Sequence, residues 1–428
     1  MDSIRLKNLR SLVDTGDIEI KPLNIILGSN SSGKSTFLRF FPLLKQTINR
    51  KIRGVLFWSG YDQNDVDFGD FETALNNQEG HDKMEFSFSF DVKNRDLYRL
   101  NHFYGANKQY NEREGTGTNK ITISICLEKK NSSELERISR VVISIWDEVI
   151  TIDVSNKKIN ICDREYQLFT SSKRYLFSSD SIFQLNTLLD SEQIFERELG
   201  SIIKGYNSDD FSDFLKYREI LKRDSKKLLV KNMESSRNFD ILEEQKLSEQ
   251  ELIIYKDMLQ INFWKIILKI SDNYITSYFD NSVYIAPLRA TAERYYRLRN
   301  LSVEEVDSSG GNLVDFLYNL DDKMFQQFQK WTNEFLGFQV EKNKTGYNGL
   351  NRGYVSIYIR KIGDNNRYNL SDTGFGYSQI LPIVTQLWFI ASNSKKKWNP
   401  LRYPTTIIIE QPELHLHPKL QSKLISAM

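Results

Sequence analysis

Gly28-Ser29-Asn30-Ser31-Ser32-Gly33-Lys34-Ser35-Thr36 is the stretch that decides the fold of this 428-residue chain. It matches the pattern G-x-x-x-x-G-K-[ST], in which main-chain N–H groups at a helix N-terminus face nucleotide phosphates. Alternating apolar residues before it predict a hairpin and then a buried strand at 23–27, and apolar spacing of three and four after it predicts a helix over 37–47. Strand, loop and helix in this order are the context that the pattern requires.

The phosphate loop, residues 28–36, suggests a chemical role for each side chain. Glycine at 28 and 33 lets the main chain approach phosphate oxygens closely. Lys34 would contact the β- and γ-phosphates, Ser35 would ligate Mg²⁺, and the Thr36 hydroxyl would lie near the α-phosphate. A loop of this pattern without a ligand is the alternative. The predicted nucleotide-binding residues are Asn30, Ser31, Ser32, Gly33, Lys34, Ser35 and Thr36.

Two further landmarks come late in the chain. The apolar run 405–409 predicts a buried strand that ends at Glu410, where a carboxylate can hold a magnesium shell. Lys34 and Glu410 are 376 residues apart, so we expect an insertion between the two halves of the site. Residues 370–379, the signature segment, place two glycines and Ser378-Gln379 before an apolar run, which suits an anion at a helix N-terminus. A plain loop and helix cap is the alternative for this segment.

The rest of the chain predicts an α/β fold with an added antiparallel layer. Period-two alternation at 84–92, 121–127, 141–154 and 158–161 indicates strands that bury one face. Between about 180 and 280 the apolar period changes to three and four, which indicates a long helical insertion. Strands at 282–286 and 405–409, helices from Leu313 and Ser378, and a hairpin around 363–366 complete the prediction. We divide the chain into three parts. Residues 1–90 form the first half of the α/β fold and begin the antiparallel layer, 91–280 continue that layer into the helical insertion, and 281–428 form the second half of the fold.

Composition narrows the class of protein without naming a function. The formal net charge is +2, so partners must be sought in local patches of charge. Only Cys126 and Cys162 occur, which fits a reducing compartment and predicts two buried strand residues. No stretch approaches 18 apolar residues, and the N-terminus lacks a signal-peptide apolar region. We therefore expect a cytoplasmic protein without a membrane-spanning segment.

The ordered set of phosphate loop, signature segment and Ile407-Ile408-Ile409-Glu410-Gln411-Pro412-Glu413 resembles the ATP-binding-cassette type of ATPase. More narrowly, the sequence is similar to the OLD-family (overcoming lysogenization defect) ATP-dependent endonucleases and related anti-phage defence ATPases. The phrase Pro-Glu-Leu-His-Leu-His-Pro at 412–418 carries this narrower resemblance, together with segments 67–71, 284–289 and 331–338. The matching parts cover roughly residues 1–90 and 280–428.

The resemblance implies an ATPase head that binds ATP and Mg²⁺ between two copies of the chain, as a homodimer or a higher homo-oligomer. Mg²⁺ would be held by Ser35 and Glu410. His415 and His417 would lie in the D-loop, against the partner site; the alternative is that they form a metal site with Glu413. The γ-phosphate would be contacted from the other protomer by the signature residues Ser371, Gly374, Gly376, Ser378 and Gln379.

The sequence departs from the family pattern at the catalytic position. Cassette ATPases place Glu after the magnesium-associated acid, whereas this chain has Gln411. Gln cannot accept a proton, although it can orient a water molecule, and Glu413 is the alternative base. With Lys34, these are the implied catalytic residues. We expect slow or partner-stimulated hydrolysis, and faster turnover in a Gln411→Glu variant.

A second departure is that the family's C-terminal TOPRIM nuclease domain is absent from residues 1–428. We expect either a partner that supplies it or a longer chain of which this sequence is a fragment. DNA cleavage would then require that domain or partner.

Two basic stretches are candidates for nucleic-acid contact. Residues 216–231 hold seven basic and two acidic side chains, and residues 289–299 interleave four arginines with Tyr295 and Tyr296. The alternatives are a solvated helix face for the first and, for the second, a surface helix start that packs its tyrosines on the head or a contact between subunits. The candidate residues are Lys222, Arg223, Lys226, Lys227, Arg289, Arg294, Arg297 and Arg299.

Taken together, the residues and the resemblance predict the ATPase module of a nucleic-acid-directed defence nuclease. Its partners would be DNA, or the msDNA or RNA of a defence complex such as a retron, with a reverse transcriptase or nuclease as a protein partner. The alternative is a DNA-clamping repair or structural ATPase of the SMC/RecF type without nuclease activity. A transporter subunit fits poorly, because no membrane segment is present and the signature differs from the importer form.

Overall fold

The computed structural model describes most of the two ends of the chain. The described residues are 1–50, 52, 54–62, 65–78, 82–93, 118–129, 135–146, 148–156, 158–161, 164–167, 264, 267–287, 289–298, 302–303, 305–345, 354–393 and 405–427. They divide into two compact units. The first unit comprises Met1–Phe37, Leu44–Trp58 and Phe68–Asp280, and the second comprises Leu38–Leu43, Ser59–Asp67 and Asn281–Met428.

The first unit is built on an antiparallel sheet with the strand order β2-β1-β4-β5-β6-β7-β8-β9, and β3 pairs with β1. This confirms the antiparallel layer predicted from alternation. The strands are β1 (Ser3–Leu9), β2 (Leu12–Asp14), β3 (Ile18–Glu19), β4 (Lys83–Lys93), β5 (Thr118–Lys129), β6 (Glu136–Ile145), β7 (Glu148–Asp153), β8 (Lys158–Ile161) and β9 (Arg164–Gln167).

The register of β4 and β5 follows from their side chains. Phe86, Phe88 and Phe90 lie opposite the isoleucines at 125, 123 and 121, and all of these side chains are fully buried. On the other face, Ser87 and Ser124 share a hydrogen bond of 2.7 Å. A shift of one residue would bury the serines and expose the aromatic rings, so burial fixes the pairing. The predicted buried cysteine, Cys126, lies in β5, and Cys162 is outside the described residues.

Helices complete the first unit. Residues 34–48 form α1 (Lys34–Ile48), which follows the phosphate loop as predicted; its residues Leu38–Leu43 belong to the second unit. Helix α2 is Phe71–Ala74. Residues 267–280 form a third helix, α3, which packs Phe279 against Phe88 and Tyr274 against Phe90. The rest of the predicted helical insertion lies outside the described residues.

The predicted buried strand at 23–27 is wrong. These residues form no strand, and Leu23, Ile25 and Leu27 are 69%, 73% and 85% exposed. The side chain of Asn24 accepts from the Lys21 N–H at 2.7 Å and donates to the Glu19 carbonyl at 2.7 Å. Asn favours such local bonds to the main chain, and here they make a turn where the alternating pattern predicts entry into a strand.

The described residues of the second unit form two small sheets. In one, β10 (Ser282–Ile285) and β15 (Thr406–Ile409) are parallel. In the other, β13 (Tyr354–Lys361) lies between β11 (Tyr296–Arg297) and β12 (Phe338–Thr345) and also pairs with β14 (Tyr368–Asn369). The turn between β13 and β14 contains residues 363–366, as predicted.

Four helices accompany these sheets among the described residues of the second unit. They are α4 (Leu313–Asn319), α5 (Asp322–Trp331), α6 (Phe375–Asn393) and α7 (Pro418–Ala427). A π-helical turn (Thr332–Leu336) follows α5, and a 3₁₀ turn (Leu370–Asp372) lies in the signature segment. The core forms around α6, whose Ile380, Ile383 and Val384 are fully buried. None of the helices in the described ranges is long and apolar enough to span a membrane.

Candidate nucleotide site

The phosphate loop lies exposed at the start of α1. Residues 28–32 and Ser35 are exposed, whereas Gly33 and Thr36 are buried. Helix α1 has no acidic residue in its first turn. The positive end of this 15-residue helix dipole is therefore not offset by a carboxylate of the helix's own first turn, and such a terminus favours an anion.

The backbone of the loop requires glycine at position 33. Gly33 caps α1 with a φ of 91°, and a Cβ atom there would lie 2.3 Å from Leu12 Cδ2. Ser31 also has a positive φ, of 61°. Gly28 differs, because the atoms nearest to a Cβ at that position are in flexible side chains, namely that of Ser32, at 2.8 Å, and Lys34 Cδ, at 3.8 Å. The second glycine of the pattern, Gly33, is thus required because any larger residue would clash with Leu12 in the first unit.

Lys34 folds back over its own loop. Its Nζ donates to the carbonyl oxygens of Gly28 at 2.9 Å and Ser29 at 2.5 Å, and lies 3.5 Å from Ser32 Oγ. These acceptors are neutral, whereas the oxygens of a bound phosphate carry formal charge and make stronger bonds with an ammonium group. A phosphate group would therefore be the stronger acceptor for Lys34.

Glu410 lies at the end of β15, in the second unit, as predicted. Its N–H donates to the Ile285 carbonyl at 3.0 Å, which extends the parallel pairing of β10 and β15 by one bond. The residue is only 5% exposed. Glu410 Oε2 accepts from the Tyr284 hydroxyl at 2.6 Å and from Arg39 Nε at 3.2 Å. Arg39 lies on the part of α1 that belongs to the second unit.

The pKa values of the two donors reflect this burial. Burial, reinforced by the hydrogen bond to Glu410, raises the pKa of the Tyr284 hydroxyl. Burial by itself would lower the pKa of Arg39, but the charge of Glu410 and the hydrogen bonds with Tyr284 and Glu410 outweigh it and raise that pKa. Both side chains therefore remain donors to the carboxylate throughout the physiological pH range.

Arg289 binds the main chain of Glu410. Its Nη2 donates to the Glu410 carbonyl at 3.2 Å, while Nε and Nη1 have no hydrogen-bond partner in the described part of the chain. Burial lowers the pKa of Arg289 to about 10, and the charge of Glu413 opposes this shift. A 5% exposed guanidinium cannot lie on a nucleic-acid surface, so the prediction for this residue is wrong. The carbonyl of Arg289 itself accepts from Gln379 Nε2 at 3.3 Å.

The Glu410 turn, residues 410–413, is tight and strained. Gln411 is exposed and has a φ of 48°, and the Leu414 N–H donates to the Gln411 carbonyl at 3.1 Å. Glu413 is also exposed. Left-handed backbone at a non-glycine residue costs of order 1–3 kcal/mol and is concentrated at functional sites. Both candidate catalytic side chains thus lie on an exposed turn that Arg289 and the Glu410 amide hold at one end.

The two D-loop histidines make local contacts. His415, with a φ of 60°, packs edge-on against the Phe375 ring at 5.2 Å, and the Lys419 N–H donates to His417 Nδ1 at 3.3 Å. The metal site of Glu413, His415 and His417 is not formed, because no group of three potential ligands occurs among the described residues. Assignment to an interface or to packing stays a prediction.

The signature segment joins a 3₁₀ turn to the start of α6, which begins at Phe375, three residues before the predicted Ser378. Gln379 and Ser378 are buried, and Ser378 Oγ donates to the Phe375 carbonyl at 2.8 Å. Ser371 Oγ donates to Asn369 Oδ1 at 2.9 Å. Ser378 therefore bonds back to the main chain of its own helix and does not act as a cap, and its contact with a nucleotide stays a prediction.

The two glycines of the signature segment differ in their surroundings. A Cβ at Gly376 would lie 3.3 Å from the His415 carbonyl, whereas a Cβ at Gly374 would meet nothing within 4 Å. A side chain at 376 would therefore press on the D-loop, whereas a Cβ at 374 would not.

The remaining basic candidates are partly described. Arg294 is exposed and pairs with Asp372 of the signature segment, and Arg297 is exposed in β11. Residues 289–298 contain no helix, so the alternative of a surface helix start is wrong. Arg299, Lys222, Arg223, Lys226 and Lys227 lie outside the described residues, and their nucleic-acid contacts stay predictions.

Sequence reasoning missed the two donors to the Glu410 carboxylate, Tyr284 and Arg39. Tyr284 opens the segment 284–289 of the family resemblance, but neither that segment nor the helical position of Arg39 indicates a contact with residue 410. The contacts span 126 and 371 positions of the sequence. A tyrosine in the strand that pairs with the Glu410 strand is the only signal that could have suggested one of them.

A family model described as AAA ATPase domain matches residues 1–428, so the chain belongs to the AAA ATPase domain family. It is a P-loop ATPase with a mixed α/β fold and an antiparallel sheet, as predicted. No curated protein matches the sequence.

Two solved Smc head domains are among the similar structures. One, from Pyrococcus furiosus, has an extended coiled coil and is bound to the C-terminal domain of ScpA; it shows 13% identity and a TM-score of 0.33, with 99% of this chain and 85% of that chain covered. The other, from Pyrococcus yayanosii, has a coiled coil and joint and shows 10% identity and a TM-score of 0.30, with 99% and 88% covered. These TM-scores are too low to define the fold of this chain, which the family model defines instead.

Proposed function

We propose that this AAA-family ATPase binds and hydrolyses ATP as the module of an OLD-like, nucleic-acid-directed defence nuclease, with ATP bound between two copies of the chain. The observation that carries the ATP part is the phosphate loop, exposed at the N-terminus of α1, with Lys34 bonded to neutral oxygens of its own loop. The motif at 412–418 supports the narrower class.

The residues present suit Mg²⁺ together with ATP. Mg²⁺ prefers hard oxygen ligands, and Ser35 offers a hydroxyl while Glu410 offers a carboxylate that is buried and oriented by two donors. When bound, Mg²⁺ neutralises charge on the β- and γ-phosphates. Lys34 and the loop amides would bind the phosphates, and Gln411 would orient the attacking water or Glu413 would accept its proton.

The proposal extends to assembly. Signature residues from one copy would meet the γ-phosphate bound by the other, which makes occupancy of the site depend on assembly. The exposed basic residues Arg294 and Arg297 support a nucleic-acid partner, and cleavage of DNA would come from a TOPRIM domain or a partner protein. Sedimentation with and without Mg²⁺ and ATP tests assembly; a chain that stays monomeric when saturated with ATP would contradict it.

Substitution of Lys34 tests the ATP site directly. Lys34→Ala should weaken ATP binding at least about 10-fold, because a charge-assisted bond contributes roughly 1.5–3 kcal/mol. Titration with fluorescently labelled ATP and phosphate release measure the effect. Lys45→Ala, in the last turn of the same helix, is the matched control and should leave affinity unchanged. Equal affinity in the Lys34 variant and the wild type would remove the assignment.

A further inference from the structure

We propose that Tyr284 and Arg39 are positioning residues, which fix the orientation of the Glu410 carboxylate through its Oε2 atom and thereby set the affinity of the site for Mg²⁺. The inference rests on the proposed function, since it takes Glu410 as the acid of the magnesium shell. Neither Tyr284 nor Arg39 would touch nucleotide or metal.

The strand register places Tyr284 where it can act. Tyr284 lies opposite Ile408 in the parallel pair β10 and β15, so Glu410, two residues further on, has its side chain on the same face of the sheet. The Glu410 N–H and the Ile285 carbonyl, 3.0 Å apart, fix the main chain at this point. The Tyr284 hydroxyl then donates to Oε2 at 2.6 Å.

Arg39 approaches the same atom from helix α1. Its Nε lies 3.2 Å from Oε2, and its side chain is 36% exposed while that of Glu410 is 6% exposed. The carboxylate thus has one oxygen bound by a neutral donor and a charged donor from two different elements. Two donors on one oxygen select one rotation of the carboxylate, whereas one donor would leave it free to pivot.

The main chain of Glu410 is held independently of these donors. The Glu410 carbonyl accepts from Arg289 Nη2, and its N–H is bonded to β10, so removal of the Tyr284 hydroxyl leaves both main-chain bonds in place. The expected consequence is a carboxylate that still lies in the site but adopts several orientations. Metal affinity would fall, and binding of ATP without metal would stay the same.

The experiment compares Tyr284→Phe, Arg39→Gln and Arg39→Lys with the wild type. Mn²⁺ binding to the protein–ATP complex, followed by electron paramagnetic resonance, and the Mg²⁺ concentration needed for half-maximal binding of labelled ATP are measured. Tyr284→Phe and Arg39→Gln should each raise the metal concentration required by about 10-fold, the lower end of the range for outer-shell partners. Arg39→Lys keeps the charge and should recover part of the loss.

Tyr318→Phe is the matched control. The Tyr318 hydroxyl is buried in the same unit and has no hydrogen-bond partner in the described ranges, so its removal should leave the metal requirement unchanged. Metal-free ATP affinity and melting temperature, measured for every variant, separate positioning from damage to the fold. A merely structural role would lower the melting temperature without selective loss of metal affinity. If Tyr284→Phe fails to fold, the two Arg39 variants decide the question alone.

Glu410→Gln separates failure of this inference from failure of the proposed function. If Glu410→Gln leaves the metal requirement unchanged, Glu410 is not the magnesium acid and the proposed site is wrong. If Glu410→Gln raises the requirement while Tyr284→Phe and Arg39→Gln behave like Tyr318→Phe, the site stands and the positioning role is overturned.

Discussion

The phosphate loop and the Glu410 turn both carry predicted site residues, but they differ in what holds them in place. The loop is exposed, and its lysine is bonded to oxygens of the loop itself. Glu410 is buried, and its bonds come from residues 126 and 371 positions away. The first region is specified by local backbone geometry and the second by packing, so different substitutions should disrupt each.

The largest effect that we expect in this comparison is at Gly33. Gly33→Ala would place a Cβ atom 2.3 Å from Leu12 Cδ2 at a φ of 91°. Backbone strain and the clash together should destabilise the first unit by roughly 1–3 kcal/mol and abolish tight ATP binding. Thermal melting and ATP titration measure both quantities.

Two other glycines separate the contributions to the Gly33 effect. Gly363 has a φ of 79° and no atom within 4 Å of a built Cβ, so Gly363→Ala reports backbone strain alone, of order 1 kcal/mol or more. Gly28→Ala meets mainly a flexible, exposed serine at 2.8 Å and should cost less than Gly33→Ala. Equal melting temperatures for the Gly33 and Gly28 variants would contradict a loop specified by its backbone.

An intermediate effect is expected at Arg289, the buried cation of the Glu410 turn. Arg289→Met removes two donors without partners among the described residues, so melting temperature should stay equal or rise, although one bond to the Glu410 carbonyl is lost. Release of that carbonyl loosens the turn that carries Gln411 and Glu413. ATP turnover should therefore fall about 10-fold, as for loss of one orienting partner.

Arg360→Met is the control for Arg289→Met, and it should change stability but not turnover. Arg360 lies in β13 and also has a buried Nε without a partner in the described regions, but its Nη2 pairs with Glu341 at 2.8 Å. Its removal should lower the melting temperature slightly and leave turnover unchanged, because that pair is partly exposed. A fall in melting temperature with no loss of turnover in Arg289→Met would mean that the residue serves only the fold.

The same contrast explains how much could be predicted from the sequence. The phosphate loop, α1 and the antiparallel strands follow from short-range patterns, because each depends on neighbouring residues or on period-two burial. The buried strand predicted from the apolar residues at 23–27 does not form, because Asn24 makes a local turn there and the sequence pattern cannot show whether a partner strand is present. Tyr284, Arg39 and the burial of Arg289 depend on contacts between distant segments.

The smallest effect is expected in the signature segment, where packing is close but the backbone is unstrained. Gly376→Ala would bring a Cβ within 3.3 Å of the His415 carbonyl, so the D-loop must move by a few tenths of an ångström. Alanine also favours the helix by about 0.8–1 kcal/mol, which offsets part of this cost, so stability should change by less than about 1 kcal/mol. Gly374→Ala meets nothing within 4 Å and is the control. If contact between α6 and the D-loop matters for hydrolysis, Gly376→Ala should slow phosphate release more than Gly374→Ala at equal stability. Equal rates of phosphate release in the two variants would show that this contact serves packing alone.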